Sequence, residues 1–246
     1  MRLFDDIISE VRAFAEGRRS GHPYREERGG GAAWPLSEKT QIVLGADTGA
    51  ELGNPRDESA SFLLWTPDVG LIRDNGITLI GPDIGKDGPA SLPFGKVLLL
   101  GVKEFGEAEC YDHHRDLDLM RFDLRLEGYM MRAASQYMRE WSRVDRRVLE
   151  KGYNLPMLGR ALMDHYRTSG LVTAAEMLFV TSSPGDVRAL AQIGQRAFRL
   201  IAAMNKMTEE MSFDCDTCDY LDVCSEVADL KNLRNTLQKE VKSHVH

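Results

Sequence analysis

Val97-Leu98-Leu99-Leu100, closed by Gly101, is a short apolar run with no polar alternation, the pattern of a strand buried on both faces. Three runs of similar length precede it, Gln41-Ile42-Val43-Leu44, Ser61-Phe62-Leu63-Leu64-Trp65 and Ile77-Thr78-Leu79-Ile80, separated by glycine and proline. Another, Met177-Leu178-Phe179-Val180-Thr181, lies downstream. These predict strands. Around them the period changes to that of a helix: Leu3, Phe4, Ile7, Ile8, Val11 and Phe14 open the chain, and Gly17 stops them. Further helices are predicted over 117–128, 129–151 and 155–169, with Gly152 and Pro156 as punctuation. Ser182-Ser183-Pro184-Gly185-Asp186 reads as a turn and N-cap into a helix over 187–211, and 225–242 as a last helix. The expected fold class is α/β, a mixed sheet packed with helices and followed by a C-terminal cysteine loop and helix.

Three parts are expected. Residues 1–38 form an N-terminal helix and linker, 39–212 an α/β core domain, and 213–246 a cysteine-cluster segment with the closing helix. The stretch 24–38, with Gly29-Gly30-Gly31 and Trp34-Pro35, follows neither period and reads as a loop. The tri-glycine is no phosphate loop, because the Lys-Ser/Thr that should follow it is absent.

Composition excludes several classes. A net charge of −7 argues against a nucleic-acid binder, which needs a basic surface to neutralise phosphates. No apolar run approaches the roughly 20 residues that span a bilayer, and the acidic start Met1-Arg2-Leu3-Phe4-Asp5-Asp6 is unlike a signal peptide, so no membrane partner and a cytoplasmic location are expected. Four cysteines in 246 residues are too sparse for a secreted disulfide scaffold.

Their spacing is the strongest chemical signal. Cys215, Cys218 and Cys224 form C-x2-C-x5-C, and Cys110 lies far upstream. Two thiolates of a C-x2-C can turn toward one centre, a third cysteine adds a corner, and a cubane [4Fe-4S] cluster takes four thiolates. The count thus suits a cluster held by Cys110, Cys215, Cys218 and Cys224. Zinc with Cys110 or a histidine as fourth ligand, and unligated or disulfide-bonded cysteines, are the alternatives. Asp214, Asp216, Asp219 and Asp222 would lower the potential of a cluster and disfavour a reactive low-pKa thiol.

Beside Cys110, the pair His113-His114 points in directions about 100° apart on a helix and is not expected to chelate one ion. Asp112 is expected to cap that helix, with the histidines partly exposed. Arg139, Arg143, Arg146 and Arg147 are spaced so that several would share one helical face, either a site for an anionic ligand or, with Glu140, Asp145 and Glu150 interleaved, a solvated face. The methionines read as core filler. No Ser-His-Asp or paired-carboxylate arrangement can be assembled with any specificity.

Ile80-Gly81-Pro82-Asp83-Ile84 followed by Leu92-Pro93-Phe94-Gly95, then Glu127-Gly128, Trp141-x-Arg143-Val144 and Lys151-Gly152-Tyr153, resembles the acetyl-CoA synthase family of the carbon monoxide dehydrogenase/acetyl-CoA synthase complex. The opening helix and the stretch 45–52 look related too, and the likeness covers the family's middle domain and the start of its cluster-binding domain. In that family a cysteine cluster at this place holds a cubane bridged to nickel. Here the third cysteine comes earlier, the fourth local one is missing, and the chain stops at His246 before the family's Cys-Gly-Cys. The resemblance therefore implies no complete nickel centre and argues against acetyl transfer. It also implies coenzyme A binding at Trp141 and Arg143.

The function expected from these readings is an iron–sulfur protein for electron transfer or assembly support in one-carbon or corrinoid metabolism, with a redox or corrinoid protein as partner. Two alternatives differ in class: a non-catalytic module, zinc-stapled or metal-free, that docks on a larger enzyme, and an enzyme binding coenzyme A thioesters.

Overall fold

In the computed structural model, which describes residues 2–39, 42–54, 59–106, 109–134, 139–209, 230 and 232, the buried apolar runs become strands of two mixed sheets. In chain order the elements are α1 (Asp5–Glu16), β1 (Tyr24–Glu27), β2 (Thr48–Leu52), β3 (Ser59–Thr66), β4 (Gly76–Ile80), β5 (Ser91–Leu92), β6 (Phe94–Val102), α2 (Cys110–Leu119), β7 (Tyr129–Ala134), β8 (Arg139–Asp145), α3 (Arg146–Glu150), α4 (Leu155–Arg167), β9 (Val172–Val180) and α5 (Pro184–Glu209). The fold is α/β, as expected.

The first sheet has the order β1-β4-β9-β6-β3. The β4–β9 and β6–β3 pairs are parallel, and β9–β6 is antiparallel. Every residue of β3, β4 and β6 is buried, because helices or the second sheet cover both faces. On one face α1 and α5 pack over Val97, Leu99 and Leu178; on the other, α4 packs on Ile77, Met177 and Phe179. Each fully buried leucine contributes on the order of 1.5–3 kcal/mol, so this sheet is the main source of stability. α4 approaches closely because Gly159 faces Phe179, Ile77 and Met177, where an added Cβ would lie 3.1–3.3 Å from their side chains. Asn154 caps α4 by accepting from the Met157 amide at 3.0 Å. α5 starts at Pro184, three residues before the expected start, because Ser183 accepts from the Asp186 amide at 3.1 Å while Asp186 accepts from the Ser183 hydroxyl at 2.9 Å.

The second sheet, β5-β2-β8-β7, corrects the largest error of the sequence reading. The stretch 129–151, read as one helix, is an antiparallel hairpin of β7 and β8 followed by the five-residue α3. Along β8, Glu140, Ser142 and Val144 are buried and Arg139, Trp141 and Arg143 are half-buried, a period of two. The arginine-rich helical face consequently does not exist: Arg139 and Arg143 belong to a strand, Arg146 and Arg147 to α3. Met130 and Met131, read as helical core filler, lie on β7.

Smaller corrections follow the same logic. The run at 41–44 is not a strand where it is described: Val43 is buried, Ile42 and Leu44 are exposed, and the strand comes later as β2. In place of a helix over 117–128, α2 begins at Cys110 and passes through a 3-10 turn, Met120–Phe122, into irregular chain. Within 24–38, read as loop, β1 pairs with β4, and Trp34 is 1% exposed with its indole N–H donating to the Glu127 carbonyl at 2.7 Å. The last predicted helix, 225–242, lies outside the described residues except at Leu230 and Asn232 (both helical), where Leu230 is buried in the core. Among the described residues no helix is long and apolar enough to cross a membrane.

Candidate functional site

Cys110 is the first residue of α2 and is fully buried. Its helix buries one face, Cys110, His114 and Leu117, one turn apart. His114, expected to be partly exposed, is instead 5% exposed and accepts through Nδ1 from the Trp65 indole N–H at 3.3 Å. That bond leaves the imidazole proton on Nε2, and burial, reinforced by the Arg121 charge, pushes its pKa down to about 4. Asp112 is not the cap. It lies inside the first turn and pairs with Arg115 at 3.1 Å.

The Trp65–His114 bond anchors α2 at the C-terminal end of β3. α5 runs toward that same end. Its Leu190 lies against Gly95 at the start of β6, and one turn later Gly194 lies against Phe62 of β3. One helical turn advances about 5–6 Å, as two strand residues do, so α5 moves along β3 and β6 in their own direction. Its 26 residues span about 39 Å against roughly 26 Å for the eight of β3, so its C-terminal turns pass the strand ends. α5 also touches α2. Cys215, Cys218 and Cys224 lie outside the described residues. Among the described residues no group of three or more His, Cys, Asp or Glu could hold a metal ion.

Trp141 and Arg143 do share a surface. Both belong to β8 and sit on the side of the second sheet away from the buried Glu140 and Ser142. The Arg143 guanidinium lies 4.7 Å from the Trp141 ring centroid, and that of Arg132, from the neighbouring β7, lies 5.6 Å away. Arg143 also pairs with Glu51 of β2 at 3.2 Å. The Trp141 indole nitrogen is buried and has no hydrogen-bond partner among the described residues. Arg132 did not stand out in the sequence; only its register opposite Trp141 brings it in.

The motifs on which the expected family resemblance rests mostly hold the fold together. Gly81 has φ +109° and donates to the Pro23 carbonyl at 2.7 Å, with Ser182 so near that a Cβ would come within 2.3 Å of its amide nitrogen. Asp83 accepts from the amides of Ile84 at 2.8 Å and Leu155 at 2.9 Å, which ties this turn to the start of α4. Pro93 is the crossing point where the chain leaves the second sheet at Leu92 and joins the first at Phe94. Glu127 binds Lys151 and accepts from the Tyr153 hydroxyl at 3.1 Å. Glu127 and Lys151 border a cleft of about 430 Å³ that also meets Asp145 and Arg147. Trp141 and Arg143 do not line it.

A constellation that sequence reading missed lies between the two sheets. Glu140 is fully buried; one of its oxygens pairs with the Lys96 ammonium of β6, and the other accepts from the Ser61 hydroxyl of β3 at 2.9 Å. Nearby, the hydroxyls of Tyr129 and Ser142 are 2.8 Å apart, and Arg121 holds Asp118 at 3.0 Å. Burial raises the pKa of Asp118 despite Arg121, and burial followed by neighbouring carboxylates raises the phenol of Tyr166. The only sequence signal was Glu140 in an alternating pattern, hidden by the helical reading of the segment.

At the opposite end of β9, Asp186 accepts from Ser182 and Ser183 and pairs with Arg18 and with His22 at 3.2 Å. With the acid at its centre, this is capping geometry rather than a nucleophilic triad. No family model and no curated protein matches this chain.

Proposed function

We propose that the chain is an iron–sulfur protein in which Cys110, Cys215, Cys218 and Cys224 hold a [4Fe-4S] cluster. The observation supporting this is the convergence of α2 and α5: Cys110, itself buried, opens a helix at the end of the sheet toward which α5 runs, and the last described residue of α5, Glu209, lies six residues before Cys215. Six residues reach at most about 20 Å, which bounds how far Cys215 can lie from the end of α5. A cysteine fully buried in the apolar core suits a cluster ligand, because an apolar shell limits solvent access to the sulfurs. A bound cubane would supply one-electron transfer. The role is electron transfer or assembly support in one-carbon or corrinoid metabolism, with a redox or corrinoid protein as partner.

The test is iron and acid-labile sulfide analysis of anaerobically purified protein, beside Cys110→Ser. About four irons and four sulfides in the parent, with loss or conversion of the cluster in the variant, support the proposal. Unchanged iron and sulfide in Cys110→Ser rejects the four-cysteine set. One zinc and no sulfide supports instead the zinc-stapled docking module.

The Arg132–Trp141–Arg143 arrangement favours a second reading, an anionic ligand of the coenzyme A type on the outer face of the second sheet. Two guanidinium groups beside one indole suit a phosphate next to a stacked base. Calorimetric titration with coenzyme A is the check; no heat with the parent protein removes the reading.

A further inference from the structure

The run 42–44 is extended chain without a sheet. Leu44 has φ −82° and ψ 162°, and exposure alternates as in a strand: Val43 is buried, whereas Ile42 is 71% and Leu44 60% exposed. Among the described residues, Ile42 and Val43 make no backbone hydrogen bond. Leu44 only accepts, from the Asp47 amide at 3.0 Å and the Thr48 hydroxyl at 2.9 Å. An extended segment with unpaired amides and carbonyls is a template for a further strand.

Ile42 and Val43 also line the cleft that meets Glu127, Asp145, Arg147 and Lys151. The two signs of charge are not presented equally there. Asp145 is buried, and it accepts both the backbone amide of Arg147 at 2.8 Å and its guanidinium. Glu127 is occupied by Lys151 and the Tyr153 hydroxyl. The side chains of Arg147 and Lys151 are 77% and 52% exposed. Arg147 reaches Asp145 through Nε and Nη2, which leaves the protons of Nη1, and Lys151 gives Glu127 one of its three. What the cleft offers to solvent is therefore mainly positive charge with donors to spare.

We propose that this is a docking site for an extended peptide in which apolar residues alternate with aspartate or glutamate. The peptide adds a strand along Ile42–Leu44, and its main chain takes up the unpaired backbone groups. Its apolar side chains pair with Ile42 and Leu44. Its alternate carboxylates fall on the side of Val43, which borders the cleft, and meet Arg147 and Lys151. Charge makes a second copy of this chain the poorer occupant. A two-fold interface sets each patch against itself, cation to cation, and each chain carries a net charge of −7. That net charge is screened beyond about 8 Å at physiological salt, whereas the two cations stand in the cleft itself. The inference goes beyond the proposed function and rests on neither the cysteines nor the Trp141 surface.

The test is an NMR titration of the isotope-labelled full chain with two capped peptides, one alternating valine with aspartate and the other valine with lysine, at about 0.15 M salt. The aspartate peptide should shift the amides of Ile42, Val43 and Leu44 and slow hydrogen exchange in at least one of them. The lysine peptide should bind at least about tenfold more weakly. Arg147→Ala combined with Lys151→Ala should weaken the aspartate peptide by about tenfold and leave the rest of the spectrum as in the parent, since the Asp145 cap of α3 rests on the backbone amide of residue 147. Equal binding of the two peptides, or binding of neither, overturns the proposal. So does binding in which no amide of this run gains protection, because no strand has then been added. Protection of the run in the peptide-free protein, together with a dimer in sedimentation, gives the site to a second copy and overturns the peptide reading.

Discussion

The two sheets of this protein are held by different physics. The first is a layer of apolar side chains between helices, with β3, β4 and β6 buried along their whole length. The second is half-buried: β8 turns Glu140, Ser142 and Val144 inward and Arg139, Trp141 and Arg143 outward, and it meets the first sheet through Glu140, Lys96 and Ser61. Apolar packing tolerates changes that keep volume, whereas a buried ion pair tolerates only loss of both partners together. The first sheet is therefore a reservoir of stability, and the second is fixed in place by a few paired groups, none of which can be lost alone.

The strongest test pairs one change from each region. Glu140→Gln strands the Lys96 charge and should cost about 3–5 kcal/mol, read as a lowered urea midpoint. Phe179→Ala in the first sheet should cost a similar 3–5 kcal/mol by opening a cavity. The regions then part company in the rescue: Lys96→Met combined with Glu140→Leu should return to within about 2 kcal/mol of the parent or exceed it. If the double variant is as weak as Glu140→Gln, the pair does more than neutralise itself and the comparison fails.

The next effect, on the order of 3 kcal/mol, concerns pH. His114 has its pKa lowered from 6.5 to about 4, so between those values the unfolded chain binds a proton that the folded chain refuses. Its contribution is intact above pH 6.5 and is lost as pH falls toward 4. Subtracting the stability curve of His114→Gln from that of the parent isolates this limb. A difference that stays flat from pH 7 to 4 would show that the histidine titrates alike in both states. Asp83, Asp118 and Glu176 carry the opposite sign, since burial raises their pKa values and acidification relieves them.

A smaller effect is expected at Asn154→Ala, which removes the cap of α4 at a cost of about 1 kcal/mol. A thermal midpoint unchanged by this variant would show that the Asp83 bond to Leu155 holds the helix start alone. The smallest belongs to the outer face of the second sheet. Arg132→Ala should change stability by no more than about 1 kcal/mol, because its contact with Trp141 is a cation–π pair at an exposed site. A larger loss would mean that this face, like the inner one, depends on each charged group.

Much of the first sheet was legible in the chain. Runs such as Val97 to Leu100 can satisfy themselves only between two apolar layers, and the spacing of Ile7, Ile8, Val11 and Phe14 can bury only one helical stripe. The second sheet was not. Over 129–151 the residues are good helix formers, and Glu140 between two arginines resembles a solvated face. The strand there is a tertiary decision, since burying Glu140 makes sense only when Lys96 is opposite it. The Trp141–Arg143 pair was visible as neighbours in sequence; Arg132 joined it through register alone. The cysteine spacing is likewise a property of the chain. The fate of Cys110 belongs to the fold: its burial at the head of α2, at the end toward which α5 runs, depends on strand direction and helix length, which no local pattern encodes.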